Sequence, residues 1–317
     1  MATATCSGGG ALNTSAGGVR VLPIIAAALR DGRPVVALES SVLAQGLPIP
    51  HNRDAAERMT GAVERGGALP AITAVCGGRA TMGLEPAELE RFLARDGVRK
   101  VSSRDLGVAM AQNADGATTV AASLCIAGAT TTSVFATGGI GGVHRDAPFD
   151  ESADLVELAR TPIVVVCAGA KSILDLPATL ERLETLGVAV IGYRTDELPG
   201  FFTRSTGLRL SARADSPEEI AAIHRAARSL GRRQATLVVQ PPPEEVALPQ
   251  DLVDAAVFQA LEEARRSGIR GAATTPFLLG AVLQATEGRS LLANLGLLEE
   301  NALLAGQIAF ALAAEGW

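Results

Sequence analysis

Lysine is rare in this sequence, which makes each lysine a candidate for chemistry that arginine cannot perform. The 317 residues contain 28 lysines and arginines, and only Lys100 and Lys171 are lysines. A guanidinium stays protonated and cannot act as a nucleophile, whereas a desolvated lysine can lose its proton. A general bias toward arginine would explain the numbers equally well, so the setting of each lysine has to decide.

Lys171 follows the apolar segment 163–167, which predicts a strand. We expect a helix to begin at Ser172, with Asp175 as the second member of a capping pair. A low dielectric and the positive end of a helix both disfavour an ammonium ion. Lys171 is therefore predicted to be a neutral amine suited to forming a Schiff base with a carbonyl carbon.

Glu39 ends another apolar segment, residues 34–39, and Ser40 and Ser41 follow it. A carboxylate at the end of a buried strand is costly without a partner, and such a group suits general acid or base catalysis. An ordinary strand-end charge that reaches solvent is the alternative. Glu39 is a candidate catalytic acid or base.

A glycine-rich loop, TGGIGGVHR at residues 137–145, follows the apolar segment 133–137. Its four glycines allow the backbone to approach a ligand and to turn amides toward an anion such as phosphate. The spacing matches neither the P-loop nor the dinucleotide-binding fingerprint, and tight turns also use glycine. Thr137 and Gly139 are candidate binding residues, and His144 is a candidate catalytic residue.

Oxygen-bearing side chains follow the glycine loop at Asp150, Ser152 and Asp154. This spacing could hold a hard divalent cation or bind a hydroxylated ligand. A helix start explains it equally well, because serine caps helices and acidic residues favour the first turn.

Lys100 lies in the segment VRKVSSRD, residues 98–105, where positive side chains are concentrated. Such a segment could bind the phosphate of a sugar substrate. A solvated strand edge is an equally good explanation at this level. Lys100 is kept as a candidate substrate-binding residue.

The composition argues against several classes of protein. The net charge is −6, aromatic residues make up 3%, and no basic cluster alternates with rings, which is unlike a nucleic-acid-binding surface. No uninterrupted apolar run has the length of a membrane span, and no stretch resembles a secretory signal.

Four cysteines without metal-site spacing predict free thiols in a reducing, cytoplasmic setting. They are Cys6, Cys76, Cys125 and Cys167. His51 and His224 lie in polar helical segments, where we expect solvent exposure.

Short β-branched segments alternate with amphipathic ones along most of the chain. Strands are predicted at residues 34–39, 71–76, 133–137, 163–167, 188–193 and 235–240. Helices are predicted at residues 52–65, 86–95, 153–160, 172–186 and 217–230, and the chain reads as mostly helical from the prolines at 241–243 to Ala314. This alternation predicts a layered α/β domain with a largely parallel sheet. Ligands bind such sheets at the carboxyl ends of the strands. Residues 1–18 read as a disordered tail and residues 19–317 as a single domain.

Several motifs together resemble one protein family over roughly residues 22–310. They are ALES (37–40), KVSSRDL (100–106), DGATTV (115–120), ATGGIGGVHR (136–145), FDESADL (149–155), CAGAKSILD (167–175), GYRTDELP (192–199) and TPFLL (275–279). The family is that of the pseudouridine-5′-phosphate glycosidases, which includes the proteins labelled indigoidine synthase A. CAGAKSILD and ATGGIGGVHR are its most specific motifs.

The resemblance implies the reversible conversion of pseudouridine 5′-phosphate and water to uracil and ribose 5-phosphate. It implies that Lys171 forms the Schiff base, that Glu39 donates a proton and that Asp150 binds one Mn²⁺ ion per subunit. Substrate contacts are implied for Lys100, Val120, Ser152, Ala153 and Asp154, and polar roles in the site for His144 and Asn294. It also implies a cytoplasmic homotrimer of an α/β/α fold with a helical C-terminal part.

The sequence departs from the family pattern at two positions and in one segment. Many relatives carry histidine at the position of Gln45 and arginine at that of Ser103. The segment between His144 and Asp150 is slightly shorter, which affects the expected metal geometry. Two other functions remain open: a Schiff-base aldolase or lyase acting on a sugar phosphate, and a non-catalytic accessory protein of a pigment cluster.

Overall fold

The computed structural model describes residues 15–16, 18–145, 149–269 and 274–314. Within these residues the strands are β1 (Ser15–Ala16), β2 (Val19–Val21), β3 (Val35–Leu38), β4 (Leu69–Cys76), β5 (Arg79–Met82), β6 (Arg99–Val101), β7 (Gly116–Thr118), β8 (Val134–Ala136), β9 (Val164–Cys167), β10 (Ala189–Tyr193), β11 (Ala212–Ala214) and β12 (Thr236–Val239). The helices are α1 (Pro23–Arg30), α2 (His51–Arg65), α3 (Pro86–Ala94), α4 (Leu106–Ala111), α5 (Val120–Gly128), α6 (Ala153–Leu158), α7 (Leu176–Thr185), α8 (Pro217–Ser229), α9 (Gln250–Arg266), α10 (Thr274–Ala285) and α11 (Arg289–Ala314). A π-helical turn spans Val42–Gly46, and a 3₁₀ turn spans Ser103–Asp105.

The strands form one sheet in the order β1-β2-β5-β4-β3-β8-β9-β12-β10-β11. The run from β4 to β11 in this order is parallel throughout. Antiparallel pairs occur at the other side, where β4 pairs with β5 and with β7, and β1 pairs with β2. The prediction of a largely parallel sheet is confirmed.

Helices cover both faces of this sheet. Every residue of β3, β8, β9 and β12 is buried, which explains why these strands are continuously apolar. Helix α11 packs on α2, α8 and strands β3, β8 and β9, while α5 packs on α6 and strands β3, β4 and β5. The predicted α/β/α layers with a helical C-terminal part are confirmed.

The predicted tail lies largely outside the described residues, which omit 1–14 and 17. At its end, Ser15 pairs with Arg20 and Ala16 with Val19 in an antiparallel bridge. Ordered structure therefore begins before Val19. The prediction of a single domain for residues 19–317 stays a prediction.

Helix α11 is long and apolar enough to cross a membrane by length and composition, with a mean hydropathy of 1.3 over its most apolar window. However, 61% of that window is buried inside the protein. At Gly66 and Gly306, α11 approaches the end of α2 so closely that a Cβ on Gly306 would lie 2.6 Å from the Val63 carbonyl oxygen. These contacts explain α11 as a core helix of the domain.

Three cysteines lie among the described residues, and all three are free thiols. Cys76 and Cys167 are buried within β4 and β9, and Cys125 is half-buried in α5. Burial raises the pKa of each thiol to about 12. These thiols are therefore protonated and unreactive at neutral pH.

The expectation that His224 is exposed is wrong, whereas His51 is exposed as expected. His224 is fully buried, because α8 turns Ile220, Ala221 and His224 toward the core. Its Nδ1 lies 3.0 Å from the Thr236 hydroxyl oxygen on β12. Burial lowers the pKa of His224 to about 4, and the charges of neighbouring arginines on α8 add to the effect.

We expect this histidine to make the protein less stable in weak acid. The pKa of His224 is about 4 in the folded state and about 6.5 in the unfolded chain, so its contribution is complete above pH 6.5 and is lost as the pH falls from there toward 4. Between pH 7.5 and 5.0 the loss amounts to about 2 kcal/mol. Urea unfolding of the wild type and of His224→Gln at both pH values measures it. His51→Gln, at the exposed histidine, is the control. An equal pH dependence for the wild type and His224→Gln would contradict the assignment.

Candidate active site

The carboxyl ends of β3 and β8 bring Glu39 and Thr137 side by side. Leu38 is in register with Ala136, so the residue after each strand lies at the same level. The Thr137 hydroxyl donates to Glu39 Oε1, and the Ser41 hydroxyl donates to Oε2. Glu39 is only 5% exposed. Its buried carboxylate is thus stabilised by two hydroxyl groups, with no ion pair to the described basic residues.

Lys171 lies at the end of a segment that continues beyond β9 and pairs with the glycine loop. The N–H of Ala168 donates to the Gly138 carbonyl at 2.8 Å, and that of Ile140 donates to the Gly169 carbonyl at 3.1 Å. The N–H of Lys171 itself donates to the Ile140 carbonyl at 3.1 Å. The glycine loop therefore fixes the backbone from which the Lys171 side chain extends.

The expectation of a helix from Ser172 is wrong, because α7 begins at Leu176. Asp175 is its N-cap and accepts the N–H of Ala178 at 3.0 Å. Pro177 lies in the first turn of α7, where proline fits, and it disfavours helical geometry earlier in the chain. The positive end of a helix therefore does not lie directly beside Lys171. Any effect of the protein on the amine must come from the residues that line the cleft.

A cleft with two lobes opens at these strand ends. Five residues border both lobes: Glu39, Ser41, Lys100, Lys171 and Thr275. The cavity volumes are about 260 Å³ for one lobe and about 470 Å³ for the other. A substrate with two chemically different halves could place the bond between them beside Glu39 and Lys171.

The smaller lobe is mainly apolar. Its lining side chains include Leu47, Phe201, Phe202, Leu279, Leu283 and Leu291. Phe201 and Phe202 pack edge to face with ring centroids 4.6 Å apart. The predicted site residues Gly139 and Asn294 line this lobe, together with Gln45. We refer to it below as the apolar lobe.

The larger lobe has more polar and charged side chains, beside the apolar Val156, Ile173 and Leu174, and is called the polar lobe below. It contains the predicted residues Val120, His144, Asp150, Ser152, Ala153 and Asp154, together with Ser102, Arg104 and Thr119. The N-terminus of α5 opens onto it at Thr119 and Val120, and helix N-termini attract anions. Lys100 and Arg104 add positive charge, so this lobe suits a phosphorylated sugar.

Both lysines of the chain lie at the junction of the lobes. Lys100 lies on β6, and its pKa is lowered first by burial of the ammonium and then by the charge of Lys171, against the opposing effect of Glu39. The residue as a whole is exposed, so the cleft encloses its side chain only in part. Lys100 is therefore part of the cleft, in addition to lying on a solvated strand.

Asp154 is buried and holds two parts of the site together. Its Oδ2 accepts the N–H of Gly141 at 2.8 Å, and its Oδ1 accepts the N–H of Ala121 at 2.9 Å. One contact fixes the glycine loop and the other fixes the first turn of α5. Both oxygens of Asp154 are thus used by backbone donors, which makes it a positioning residue of the polar lobe.

We expect Asp154→Asn to lower the free energy of unfolding by about 1–3 kcal/mol, because the amide has one acceptor oxygen for two buried N–H donors. Urea denaturation of the variant and the wild type measures the difference. The control is Glu151→Gln, at an exposed carboxylate that pairs only at the surface with Arg182 (2.9 Å). That pair contributes little, about 0–1 kcal/mol. Equal losses in the two variants would contradict the role given to Asp154.

His144 and Asp150 are neighbours at the edge of the polar lobe. The His144 N–H donates to the Asp150 carbonyl at 3.0 Å, and the Asp150 side chain is exposed. The described residues contain no group of three or more histidine, cysteine, aspartate or glutamate side chains that could hold a metal ion. Asp150 alone therefore fits only a largely hydrated cation, such as Mg²⁺ or Mn²⁺ held by one or two carboxylates and water.

Thr137 is the predicted binding residue that does not line the cleft. It is 1% exposed, and its hydroxyl is used by Glu39. Its carbonyl accepts the side-chain N–H of Asn301 at 2.9 Å, and the same amide contacts the Gly138 carbonyl at 3.3 Å. Asn301, on α11, thus fixes the start of the glycine loop, and sequence reasoning missed it.

Sequence reasoning also missed a buried cluster of four hydroxyl groups behind Glu39. Ser40 donates to the Thr73 carbonyl at 2.7 Å, and Thr73 donates to the Leu38 carbonyl at 3.0 Å. Thr118 and Ser123 complete the cluster. It ties the end of β3 to β4, β7 and α5, so the backbone that carries Glu39 is rigid. The Ser40-Ser41 pair directly after Glu39 was the available signal.

Comparison with known proteins gives a consistent result. Residues 24–311 match the family model described as "Indigoidine synthase A like protein". The pseudouridine-5′-phosphate glycosidase of Gemmatimonas aurantiaca is 68% identical over 90% of this chain and 93% of the relative. That of Herpetosiphon aurantiacus is 51% identical over 92% of this chain and 96% of the relative.

Solved structures agree with these matches. The prealnumycin C-glycosynthase AlnA, in complex with ribulose 5-phosphate, is 38% identical with a TM-score of 0.87, covering 94% of this chain and 97% of its own. An indigoidine synthase A-like protein from Thermotoga maritima is 36% identical with a TM-score of 0.83, covering 89% and 94%. With the family model spanning most of the described domain, this chain belongs to the indigoidine synthase A-like family.

Proposed function

We propose that this protein is a pseudouridine-5′-phosphate glycosidase, which reversibly cleaves the carbon–carbon bond between ribose and uracil. The observation that carries the proposal is the junction of the two lobes, where Glu39 and Lys171 lie between a polar and an apolar cavity. The polar lobe suits a ribose phosphate and the apolar lobe suits a flat base. Relatives at 47–68% identity carry this name, which supports the same assignment.

A C-glycoside needs different chemistry from an O-glycoside, because its leaving atom is a carbon that is not readily protonated. The usual pair of carboxylates would leave such a bond intact. Opening the ribose ring first makes C1′ reactive toward an amine. In this mechanism Glu39, in its acid form, gives a proton to the ring oxygen as the C1′–O4′ bond breaks.

The Lys171 amine then forms a bond to C1′ and loses a proton to Glu39. Glu39 returns that proton to C5 of the base, and the C1′–C5 bond breaks as the nitrogen lone pair forms the iminium. Uracil leaves, and water hydrolyses the iminium to give ribose 5-phosphate and free Lys171. The Glu39 carboxyl group thus carries out each proton transfer up to the release of uracil, which agrees with its position beside both lobes.

The supporting residues have roles that follow from their positions. Lys100, Arg104 and the N-terminus of α5 attract the phosphate in the polar lobe. Arg104 is adjacent to Ser103, where many relatives have arginine, and it supplies a guanidinium to the same lobe. His144 lines only the polar lobe and not the apolar lobe. We therefore assign it to contacts with the sugar hydroxyls and not to protonation of the base.

We further propose that Asp150 binds one Mn²⁺ ion per subunit, largely through water, and that the protein is a cytoplasmic homotrimer. The exposed carboxylate at the edge of the polar lobe supports the first point. The bound ion would supply positive charge that orients substrate oxygens. Sedimentation equilibrium measures the number of subunits.

The test is cleavage of pseudouridine 5′-phosphate, followed by ultraviolet absorbance with and without Mn²⁺. We expect equal amounts of uracil and ribose 5-phosphate, and we expect the reverse reaction from those two products. Uridine 5′-phosphate, whose base is linked through nitrogen, is the matched control and should stay intact.

Three outcomes would overturn the proposal. An aldolase or lyase would cleave a sugar phosphate and leave uracil unused. A C-glycosynthase would join a sugar phosphate to an acceptor other than uracil. An accessory protein would give no ribose 5-phosphate adduct on Lys171 after borohydride reduction.

A further inference from the structure

Two carboxamide oxygens in the apolar lobe are buried without a hydrogen-bond partner among the described residues. They are Gln45 Oε1 and Asn294 Oδ1, and both residues line the lobe. A buried acceptor that lacks a donor costs about 1–3 kcal/mol. Because both residues line the same lobe, a ligand there that brings two N–H or O–H donors would satisfy both oxygens after small rotations of the two side chains.

The contact of Gln45 with Val98 determines which end of its amide is left without a partner. Gln45 Nε2 donates to the Val98 carbonyl oxygen at 3.4 Å. A carbonyl can only accept, so the amide nitrogen must face Val98 and the oxygen must point away from it. Gln45 lies in the π-helical turn that closely follows Glu39, so this acceptor is held near the reacting groups.

Asn294 approaches the same lobe from the opposite element, helix α11. Its Oδ1 lies next to Gly138 in the glycine loop, where a Cβ would lie 3.5 Å away from that oxygen. A side chain at position 138 would also press on Leu297 and Leu298, each at 3.2 Å. Glycine at this position leaves room for the Asn294 side chain in the wall of the lobe.

The pattern of donors on the base distinguishes two kinds of nucleotide. A uracil attached through C5 has free N–H groups at N1 and N3, whereas a uracil attached through N1 has only the N3–H. Two such acceptors favour a base with two donors, because the base with one leaves a buried oxygen unpaired.

Building on the proposed function, we propose that Gln45 Oε1 accepts the N1–H of the base and that Asn294 Oδ1 accepts its N3–H. Gln45 is thereby a specificity-determining residue that selects a C-linked over an N-linked uracil nucleotide. Asn294 supplies the second acceptor of the pair. This gives the position of Gln45 a binding role that needs no acid–base chemistry.

The experiment uses the bond-forming direction, with ribose 5-phosphate and three acceptors: uracil, 1-methyluracil and 3-methyluracil. Each methyl group removes one donor. With the wild type we expect kcat/KM for both methyluracils to be at least about tenfold below that for uracil. Gln45→Ala removes one oxygen and leaves space for a methyl group. In this variant kcat/KM for uracil should fall about tenfold, and 1-methyluracil should match it.

Asn294→Ala is the matched variant and should release the other methyluracil. Circular dichroism confirms that both variants are folded, and Gln45→Glu, which keeps an acceptor oxygen, should preserve the wild-type order of the three bases. The inference is overturned if both methyluracils keep their wild-type ratios to uracil in Gln45→Ala. It is also overturned if Gln45→Ala and Asn294→Ala relax the same methyluracil.

A binding measurement separates this inference from the proposed function. Calorimetry on Lys171→Arg needs no turnover, and it should show at least about tenfold tighter binding of pseudouridine 5′-phosphate than of uridine 5′-phosphate. Adding Gln45→Ala should remove that preference. Absent turnover in the wild type would defeat the proposed function, whereas equal binding of the two nucleotides to Lys171→Arg would defeat the role of Gln45.

Discussion

Lys171→Arg is expected to lower kcat for pseudouridine 5′-phosphate by at least about 10⁴-fold, because a guanidinium cannot form the Schiff base. The substitution keeps a positive charge and a long side chain at the junction of the two lobes. The backbone of Lys171 is held by Ile140 of the glycine loop, so the fold should be retained. Single-turnover cleavage followed by chromatography of uracil measures the effect.

The chain offers an exact control, Lys100→Arg, because Lys100 is its only other lysine. Lys100 borders the same two lobes, and its lowered pKa makes it the one competing amine. We expect Lys100→Arg to reduce kcat/KM by no more than about tenfold, as a change in phosphate binding would. Borohydride reduction with ribose 5-phosphate should label the peptide containing Lys171. Labelling of Lys100 together with turnover by Lys171→Arg would move the nucleophile to Lys100.

Glu39→Gln is expected to reduce kcat by about 10²–10⁴-fold, the usual contribution of a positioned acid or base. The amide fits the same space, and the hydroxyl groups of Ser41 and Thr137 can rotate to meet it, so stability should change little. Ribose 5-phosphate already carries an aldehyde in its open form. Borohydride should therefore still trap it on Lys171 in this variant.

Two neighbouring substitutions separate proton transfer from positioning. Ser41→Ala and Thr137→Val each remove one hydroxyl from the Glu39 carboxylate while leaving the carboxylate in place. We expect each to lower kcat by only about two- to tenfold, since a typical intramolecular hydrogen bond contributes about 0.5–1.5 kcal/mol net. A kcat for Glu39→Gln equal to that of either hydroxyl variant would mean that Glu39 transfers no proton.

The parallel sheet and the edge that carries the site could be predicted, because burial on both faces leaves a direct trace in the sequence. Segments such as 163–167 are apolar without alternation, and a polar residue after such a segment stands out. That reasoning found Glu39 directly after β3 and Lys171 shortly after β9, two strands that lie on either side of β8. The strands β2, β5, β6, β7 and β11 leave no comparable trace, because each contains a charged residue or consists of small residues and none lies in a continuous apolar run.

Local capping patterns were less reliable, as the start of α7 illustrates. Ser172 and Asp175 fit a capping box, but Asp175 alone fits an N-cap equally well, and Pro177 decided for the second. His224 was misjudged from its polar neighbours. Its spacing from Ile220 and Ala221 places it on the buried face of α8, a signal that the helical period could have provided.

The remaining site residues depend on contacts between distant parts of the chain. Asn301 reaches Thr137 across 164 positions, and Asp154 reaches Ala121 across 33. Such pairs obey no local period or motif. An asparagine within an apolar helix is the kind of residue that suggests a buried partner, but the partner itself has to come from the three-dimensional structure.

The place of Asn301 and Asn294 on α11 has a consequence for how this protein comes into being. A ribosome releases the chain from its N-terminus, so Glu39 and Lys171 are made long before the helix that completes their surroundings. A chain that stopped short of α11 would lack the amide that fixes the glycine loop and one wall of the apolar lobe. Incompletely synthesised chains should therefore be unable to hold ribose 5-phosphate correctly beside Lys171. The reactivity of Lys171 would appear only after α11 has been synthesised and packed.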